Sequence, residues 1–481
     1  MAATVSAADL FCGGGGTSTG LAFACQDLGV KVRLLAVDHW ETAVATHSRN
    51  HPWAEHRLAS VDSLDPIEAV PSGRLDLLLA SPECRYFSRA AGNRRLQPQK
   101  RASAWVLLRW LEQLDVRTAL VENVPEFVNW CRVGVSGKPV LSEQGDLFRA
   151  WVLAVRSLGY TVEWKVLDAA DFGACTSRRR LFVQARKGHA ATVWPRQTHS
   201  RGGKVPGTLP WRGAREVIDL SRPSRSVFGR PLARNTWRRL LEGVERFGSP
   251  EMQPFVRMLR EQLGIPAQKR GGQAHRPSRA FTLEVAGRRA TQIAVSLDEP
   301  TPTITTRCDR YVAMPIVLAP EVPAARGGEG YLVRTGFHPP GDRMGALPRS
   351  IEEPMPTLTS AGGIELARPF LSRYYGVSPP RSLDEPLPTV TTHDRIALAR
   401  PVLDGQAFDI LMRMLAPDEL AAGMGFPKEY HFEGSRSAQV RQIGNAVQVD
   451  IARALCRALL SCSPAGPLDS WASVPRGEVA A

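Results

Sequence analysis

Apolar residues in the first 188 positions gather into short runs that stop abruptly at turn-forming or polar residues. They are "AADLF" at 7–11, "VRLLAVD" at 32–38, "LDLLLA" at 75–80, "TALVEN" at 118–123, "TVEWKVLDA" at 161–169 and "RLFVQA" at 180–185. Continuous apolar runs of this length suit strands buried on both faces. Between several of them apolar positions return with helical spacing, as in "SAWVLLRWLEQL" at 103–114 and "LFRAWVLAVRSLG" at 147–159. Strands alternating with helices predict an α/β fold with a doubly wound, mostly parallel sheet.

From about residue 190 the pattern changes to Pro, Gly, Arg and short strand-like pieces. One amphipathic helix interrupts it, "NTWRRLLEGVERF", with Trp237, Leu240, Leu241, Val244 and Phe247 on one face. A degenerate repeat follows, "SLDEPTPTITT" from 296, "SIEEPMPTLTS" from 350 and "SLDEPLPTVTT" from 382, too unevenly spaced for a solenoid. Proline-flanked β-branched triplets suit edge strands and turns in a second, irregular domain. A single helix is predicted over 437–460, with a serine cap and apolar residues at Ile443, Val447, Ile451, Leu455 and Leu459. These shifts divide the chain at 1–188, 189–410 and 411–461, with a tail over 462–481 that reads as disordered.

Composition narrows the class. A chain of 481 residues, 43% hydrophobic and 22% charged, suits two or three globular domains with ample core. No apolar run reaches membrane-spanning length, and the first residues lack a charged leader followed by an apolar stretch, so a cytoplasmic protein with no membrane partner is expected. Eight scattered cysteines, with no C-x-x-C and no histidine at zinc spacing, argue against a disulfide framework and a structural metal. The net charge of +14 is concentrated. Between Arg186 and Arg289 stand 22 Lys/Arg against 7 Asp/Glu, which leaves the rest near neutral. Charge confined to one segment reads as a footprint for a polyanion.

Candidate chemistry gathers at the strand ends. "DLFCGGGG" places glycines between the first strand and a helix, where an open α/β sheet takes a nucleotide-like ligand. The spacing is neither the dinucleotide G-x-G-x-x-G nor a phosphate loop. Asp38 ends the second strand, at the place for ribose hydroxyls, and Asp62, after the next turn, suits an adenine amino group. The third of these runs leads into "SPECRYFS" with Cys84, the fourth carries Glu122 at its end, and "TSRRRLF" brings Arg178 and Arg180 to another strand. Thiol, carboxylate and guanidinium supply a nucleophile, a proton donor and an oxygen anchor on one crevice.

These motifs resemble the carbon-5 cytosine-specific DNA methyltransferase family, in its order and over nearly the whole chain. The carriers are "DLFCGGGG", "SPECRYFS", "ENV", "SRRRLF", "LAPDELAAGMGFP" at 415–427 and "RQIGNAV" at 441–447. The resemblance implies the S-adenosylmethionine-dependent methyltransferase fold, with S-adenosyl-L-methionine held by Phe11, Gly13, Gly15, Asp38, Asp62 and Asn445. It implies double-stranded DNA as partner and a cytosine flipped out of the helix, since chemistry on a stacked base requires extrusion. Cys84 would attack ring carbon 6, Glu122 would contact ring nitrogen 3 and the exocyclic amine, and Arg180, with Arg178 second, would hold the carbonyl oxygen. Ser88, Arg89, Arg94 and Arg95 would contact DNA from the loop that closes over the base. Segment 1–188 then becomes the catalytic and cofactor-binding domain, 189–410 a basic linker and target-recognition domain, and 411–461 the return to the catalytic domain. A monomer is expected, because the recognition segment is built in. No residue identifies the target sequence or a restriction endonuclease as partner.

The chain departs from the family at Glu83, where a second proline is usual, and at Arg85, Thr176 and Gln448, where glutamine, glutamine and proline are usual. A carboxylate raises a neighbouring thiol's pKa and a guanidinium lowers it, so Arg85 is expected to offset Glu83. Three other readings compete. One is an RNA methyltransferase acting on a tRNA loop, against which stands the long basic recognition segment. The second is a catalytically inactive DNA-binding relative, opposed by the retained Cys84, Glu122 and Arg180. The third is a nucleotide-dependent oxidoreductase, disfavoured by the glycine spacing.

Overall fold

The computed structural model describes residues 3–82, 103–134, 139–188, 190–228, 232–247, 253–266, 281–284, 294–302, 310–318, 331–335, 349–350, 363–367, 370–373, 381–382, 396–399 and 407–461. They fall into two compact units. One lies within Met1–Asp219, Leu297–Cys308 and Leu415–Ala481, the other within Leu220–Ser296 and Asp309–Met414.

The first unit is built on β1 (Thr4–Leu10), β2 (Lys31–Asp38), β3 (Glu55–Leu58), β4 (Arg74–Ala80), β5 (Asp115–Asn123), β6 (Tyr160–Asp168), the short β7 (Thr176–Ser177) and β8 (Arg179–Lys187). Seven of these form one sheet in the order β3-β2-β1-β4-β5-β8-β6. The first five strands of that order are parallel, and β8 runs antiparallel to both β5 and β6. The mostly parallel α/β sheet expected from the apolar runs is therefore present. Strand β3 was not anticipated, because "EHRL" is an exposed edge strand whose residues carry no apolar run.

Helices α1 (Gly16–Leu28), α2 (Glu41–Asn50), α3 (Pro66–Ala69), α4 (Val106–Gln113) and α5 (Asp146–Ser157) make the crossovers. Alternation within β1 shows how both faces are covered. Val5 and Ala7 belong to one core with Leu21 and Ala24 of α1, whereas Ala8 and Leu10 belong to the other with Leu107, Trp110 and Trp151 of α4 and α5.

In the second unit, α6 (Arg234–Phe247) buries Trp237, Leu240, Leu241 and Val244 as its periodicity predicts. They share a core with Phe255, Val256 and Leu259 of α7 (Gln253–Leu263) and with Ala313, Ile410 and Met412 of a five-stranded sheet. The three degenerate repeats begin alike. Ser296, Ser350 and Ser382 each end a short edge strand, Ala294–Ser296, Arg349–Ser350 and Arg381–Ser382. Within the first repeat, Thr301–Pro302 pairs with β7 in the first unit.

The chain closes with α8 (Pro417–Gly423), α9 (Arg436–Asn445) and α10 (Val449–Ser461). The single helix expected over 437–460 is two, and its cap is Ser435, whose Oγ accepts from the Ala438 N–H at 3.3 Å. The break falls at 446–448, where Ala446 is extended and the Gln448 side chain caps α10, its Oε1 accepting from the Ile451 N–H at 2.9 Å. Gln448 thus does by hydrogen bonding what proline does by a fixed backbone at a helix start. Beyond the break Ile451, Leu455 and Leu459 pack on the core shared with α1, and full burial of each is worth roughly 1.5–3 kcal/mol. Among the described residues no helix is long and apolar enough to cross a membrane.

Candidate active site

At the carboxyl end of β1 the backbone turns through left-handed conformations at Phe11 (φ 61°), Gly13 (φ 52°) and Gly15 (φ 86°) before α1 begins. A non-glycine residue there is strained, and such residues concentrate at functional sites. Asp38, at the end of β2, holds this loop. Its Oδ2 accepts from the Gly13 N–H at 2.9 Å and its Oδ1 from the Trp40 N–H at 2.8 Å. Phe11, Gly13, Gly15 and Asp38 are thus brought together, with Asp38 acting first on the protein's own loop.

The glycine run was expected to let backbone approach a ligand. Much of it instead lets the C-terminal segment approach: a Cβ at Gly16 would stand 2.1 Å from the Val447 carbonyl oxygen. Gly13 differs. Among the described residues its side of the loop meets only the Phe11 carbonyl oxygen, 4.0 Å away. Asp62 sits exposed in the turn after β3, and Asn445 is exposed as the last residue of α9.

Behind the loop runs a buried polar chain that the sequence did not reveal. Ser18 Oγ donates to Asp9 Oδ2 at 2.6 Å, and His47 Nε2 lies 2.9 Å from the same hydroxyl. His47 Nδ1 lies 2.8 Å from His56 Nε2. Since the serine proton is spent on Asp9, these distances assign His47 as a neutral ring that donates through Nε2 and accepts through Nδ1. Burial raises the Asp9 pKa to about 7 and pushes that of His47 well below its ordinary value.

The other half of the crevice lies at β4, β5 and β8. Asn123 ends β5 and is buried, and its Nδ2 donates to the Pro82 carbonyl oxygen at 3.2 Å. It therefore fixes the chain two residues before Cys84. Cys84 lies outside the described residues, as do Glu83, Arg85, Ser88, Arg89, Arg94 and Arg95. Glu122, one residue before Asn123, pairs with Arg180 of β8, Oε1 to Nε at 3.2 Å, with side chains only 12% and 16% exposed. Burial raises the Glu122 pKa, and Arg180 and then Arg178 oppose the rise.

The two arginines do different work. Arg178 is 3% exposed and its Nη2 donates to the carbonyl oxygens of Gly444 and Ala446, at 3.1 and 3.0 Å. Its guanidinium clasps the break between α9 and α10, so Arg180 is the one paired with Glu122. Thr176 is explained too: buried on β7, it donates through Oγ1 to the Thr301 carbonyl oxygen at 3.0 Å, joining the first repeat to the sheet unit. Among the described residues no cluster of three or more His, Cys, Asp or Glu side chains is arranged to hold a metal.

Comparison with known proteins adds a family. The family model for C-5 cytosine-specific DNA methylases matches residues 5–202 and 388–461. Type II methyltransferase M.AgeI of Thalassovita gelatinovora is 29% identical over 199 residues, 40% of this chain and 42% of that protein. Type II methyltransferase M.XorII of Xanthomonas oryzae pv. oryzae is 28% identical over 211 residues, 42% of this chain and 46% of that protein. DNA (cytosine-5)-methyltransferase 1B of Oryza sativa subsp. japonica is 27% identical over 226 residues, 40% of this chain and 14% of that protein. The chain therefore spans less than half the length of each of these three relatives. Among solved structures, Entamoeba histolytica methyltransferase EhMeth aligns over 95% of this chain and 98% of that one, with 12% identity and a TM-score of 0.47. The family model covers more than half of the residues, and the chain belongs to the C-5 cytosine-specific DNA methylase family.

Proposed function

We propose that the protein methylates carbon 5 of cytosine in double-stranded DNA with S-adenosyl-L-methionine as donor. The observation that carries this is the largely buried Glu122–Arg180 pair at the strand end, with Asn123 anchoring Pro82 just ahead of Cys84. Burial raises the pKa of this carboxyl, which favours a role as proton donor, and a guanidinium beside it suits a carbonyl oxygen.

In this reading the Cys84 thiolate forms a bond to ring carbon 6 of the flipped cytosine, and the carbon 5–carbon 6 π pair moves toward carbon 5. Glu122 stabilises the adduct at ring nitrogen 3 and the exocyclic amine, while Arg180 holds the carbonyl oxygen. Carbon 5 becomes the methyl acceptor. Its proton then leaves to water, the pair restores the double bond, and the carbon–sulfur bond breaks to return the thiolate. Arg178 positions the C-terminal segment rather than the base.

The residues present fit the donor. The clear side of Gly13, the strained Phe11 backbone and the acids Asp38 and Asp62 suit a ligand with adenosine and amino-acid ends. S-adenosyl-L-methionine supplies the methyl group as a sulfonium electrophile. Asn445 would complete the site from α9, and Ser88, Arg89, Arg94 and Arg95 would meet the DNA. The basic segment and the edge-strand repeats would form the target-recognition domain, with segments 1–188 and 411–461 carrying catalysis and cofactor.

Base-resolution methylation sequencing tests the proposal in a methylation-free host expressing the chain or its Cys84→Ala variant. The expected result is a short motif methylated at carbon 5 only with the intact cysteine. A blank genome together with methyl transfer to tRNA would replace DNA by RNA as substrate.

A further inference from the structure

The carbonyl oxygens of Gly14 and Gly15 each accept from a side-chain hydroxyl. Thr19 of α1 donates to Gly15 at 2.7 Å, and Tyr430 donates to Gly14 at 2.7 Å from the far end of the chain. The Tyr430 ring is held by Phe426 and Phe432, with centroids 4.6 and 5.2 Å away, and meets His51 edge-on at 5.8 Å. His51 Nε2 lies 3.1 Å from Thr19 Oγ1 and 3.4 Å from Tyr430 Oη. Both hydroxyl protons are spent on the loop carbonyls, so the ring nitrogen faces them as an N–H donor. A Cβ on Gly15 would stand 2.4 Å from the Tyr430 oxygen, so glycine there serves the hydroxyl as well as the left-handed turn.

The consequence concerns one peptide plane. Its Gly15 N–H donates to the Cys12 carbonyl oxygen at 3.0 Å, and its Gly14 carbonyl accepts from Tyr430. The Gly13 N–H, on the same peptide as that Cys12 carbonyl, donates to Asp38. The segment containing strained Phe11 is thus fixed from β2 on one side and from Tyr430 on the other. A phenylalanine would fill the same aromatic cluster without this contact, so the hydroxyl is what the loop uses.

We propose that Tyr430 is a positioning residue for the methyl donor: its hydroxyl preorganises the glycine loop against which the donor binds. This rests on the cofactor assignment above. The test is calorimetric binding of S-adenosylhomocysteine, which needs no turnover, to the full chain and to Tyr430→Phe. Losing one part-buried hydrogen bond that preorganises the site raises the variant's Kd about tenfold. The donor KM rises in step, kcat at saturating donor stays within about twofold and the DNA KM is unchanged. Phe426→Leu loosens the same aromatic cluster and keeps the hydroxyl, so it lowers Tm without the tenfold change in Kd. Equal Kd for wild type and Tyr430→Phe overturns the proposal, as does a Kd change that Phe426→Leu reproduces. A wild type that binds no S-adenosylhomocysteine overturns the cofactor assignment itself.

Discussion

Asp9 is buried and Glu122 largely buried, both near the carboxyl edge of one sheet, and burial raises the pKa of both. Their surroundings differ. Asp9 meets Ser18 and, through it, neutral His47; Glu122 meets the guanidinium of Arg180 at 3.2 Å. Hydrogen bonds through Ser18 to His47 hold one Asp9 oxygen in place, while the buried Oδ1 has no partner among the described residues. At Glu122 burial favours the protonated form and the guanidinium favours the charged one. On the proposed reading the glycine-loop half sets shape and the Glu122 half carries the reaction.

The largest effect should come from the reactive half. Glu122→Gln should lower kcat by about 10²–10³, with Tm nearly unchanged, in a steady-state methyl-transfer assay. A comparable loss of kcat in Asp9→Asn would erase the distinction between the halves.

Next in size is a pH effect on stability. With its folded pKa near 7 and an ordinary value of 3.8, Asp9 keeps in the native state a proton that the unfolded chain has lost. Its contribution therefore falls as pH rises from about 4 to about 7, by about 4 kcal/mol in all. His51, depressed to about 4, acts with the opposite sign, because below pH 6.5 the unfolded chain takes up the proton first. Urea unfolding of wild type and Asp9→Asn isolates the carboxyl: their stability difference should shift in the variant's favour from pH 4 to about pH 7 and level off above it.

Arg178 and Arg180 sharpen the same contrast two residues apart. Arg178→Ala removes a buried guanidinium from two carbonyls and should cost about 3 kcal/mol of unfolding free energy. Arg180→Ala should cost less stability and far more activity, read by urea titration beside the methyl-transfer assay. The smallest effect belongs to Gln448→Ala, which loses the cap of α10 and should cost about 1 kcal/mol in the same titration.

These contrasts also mark what could be read beforehand. The strands with apolar runs, the strand-end placement of Asp38 and Glu122, and the face of α6 follow from local periodicity. Strand β3 does not, because an exposed edge strand shows no such signal. The 437–460 pattern hides its break because the apolar spacing continues through it. The break is held by Arg178, more than 250 residues away in sequence. The same distance concealed why Gly16 is glycine: its neighbour is Val447, which no local pattern brings near. The Asp9–Ser18–His47 chain joins three elements whose residues look unremarkable singly.

The most direct test of the account is covalent trapping. With S-adenosyl-L-methionine supplied, a duplex carrying 5-fluorocytosine at the methylated position has no proton to lose from carbon 5, so a base that has been attacked and methylated stays bonded to the protein. The account predicts a denaturant-stable adduct with wild type, a much slower one with Glu122→Gln and none with Cys84→Ala. An adduct that persists in Cys84→Ala, or methylation by wild type with no adduct at all, would contradict it.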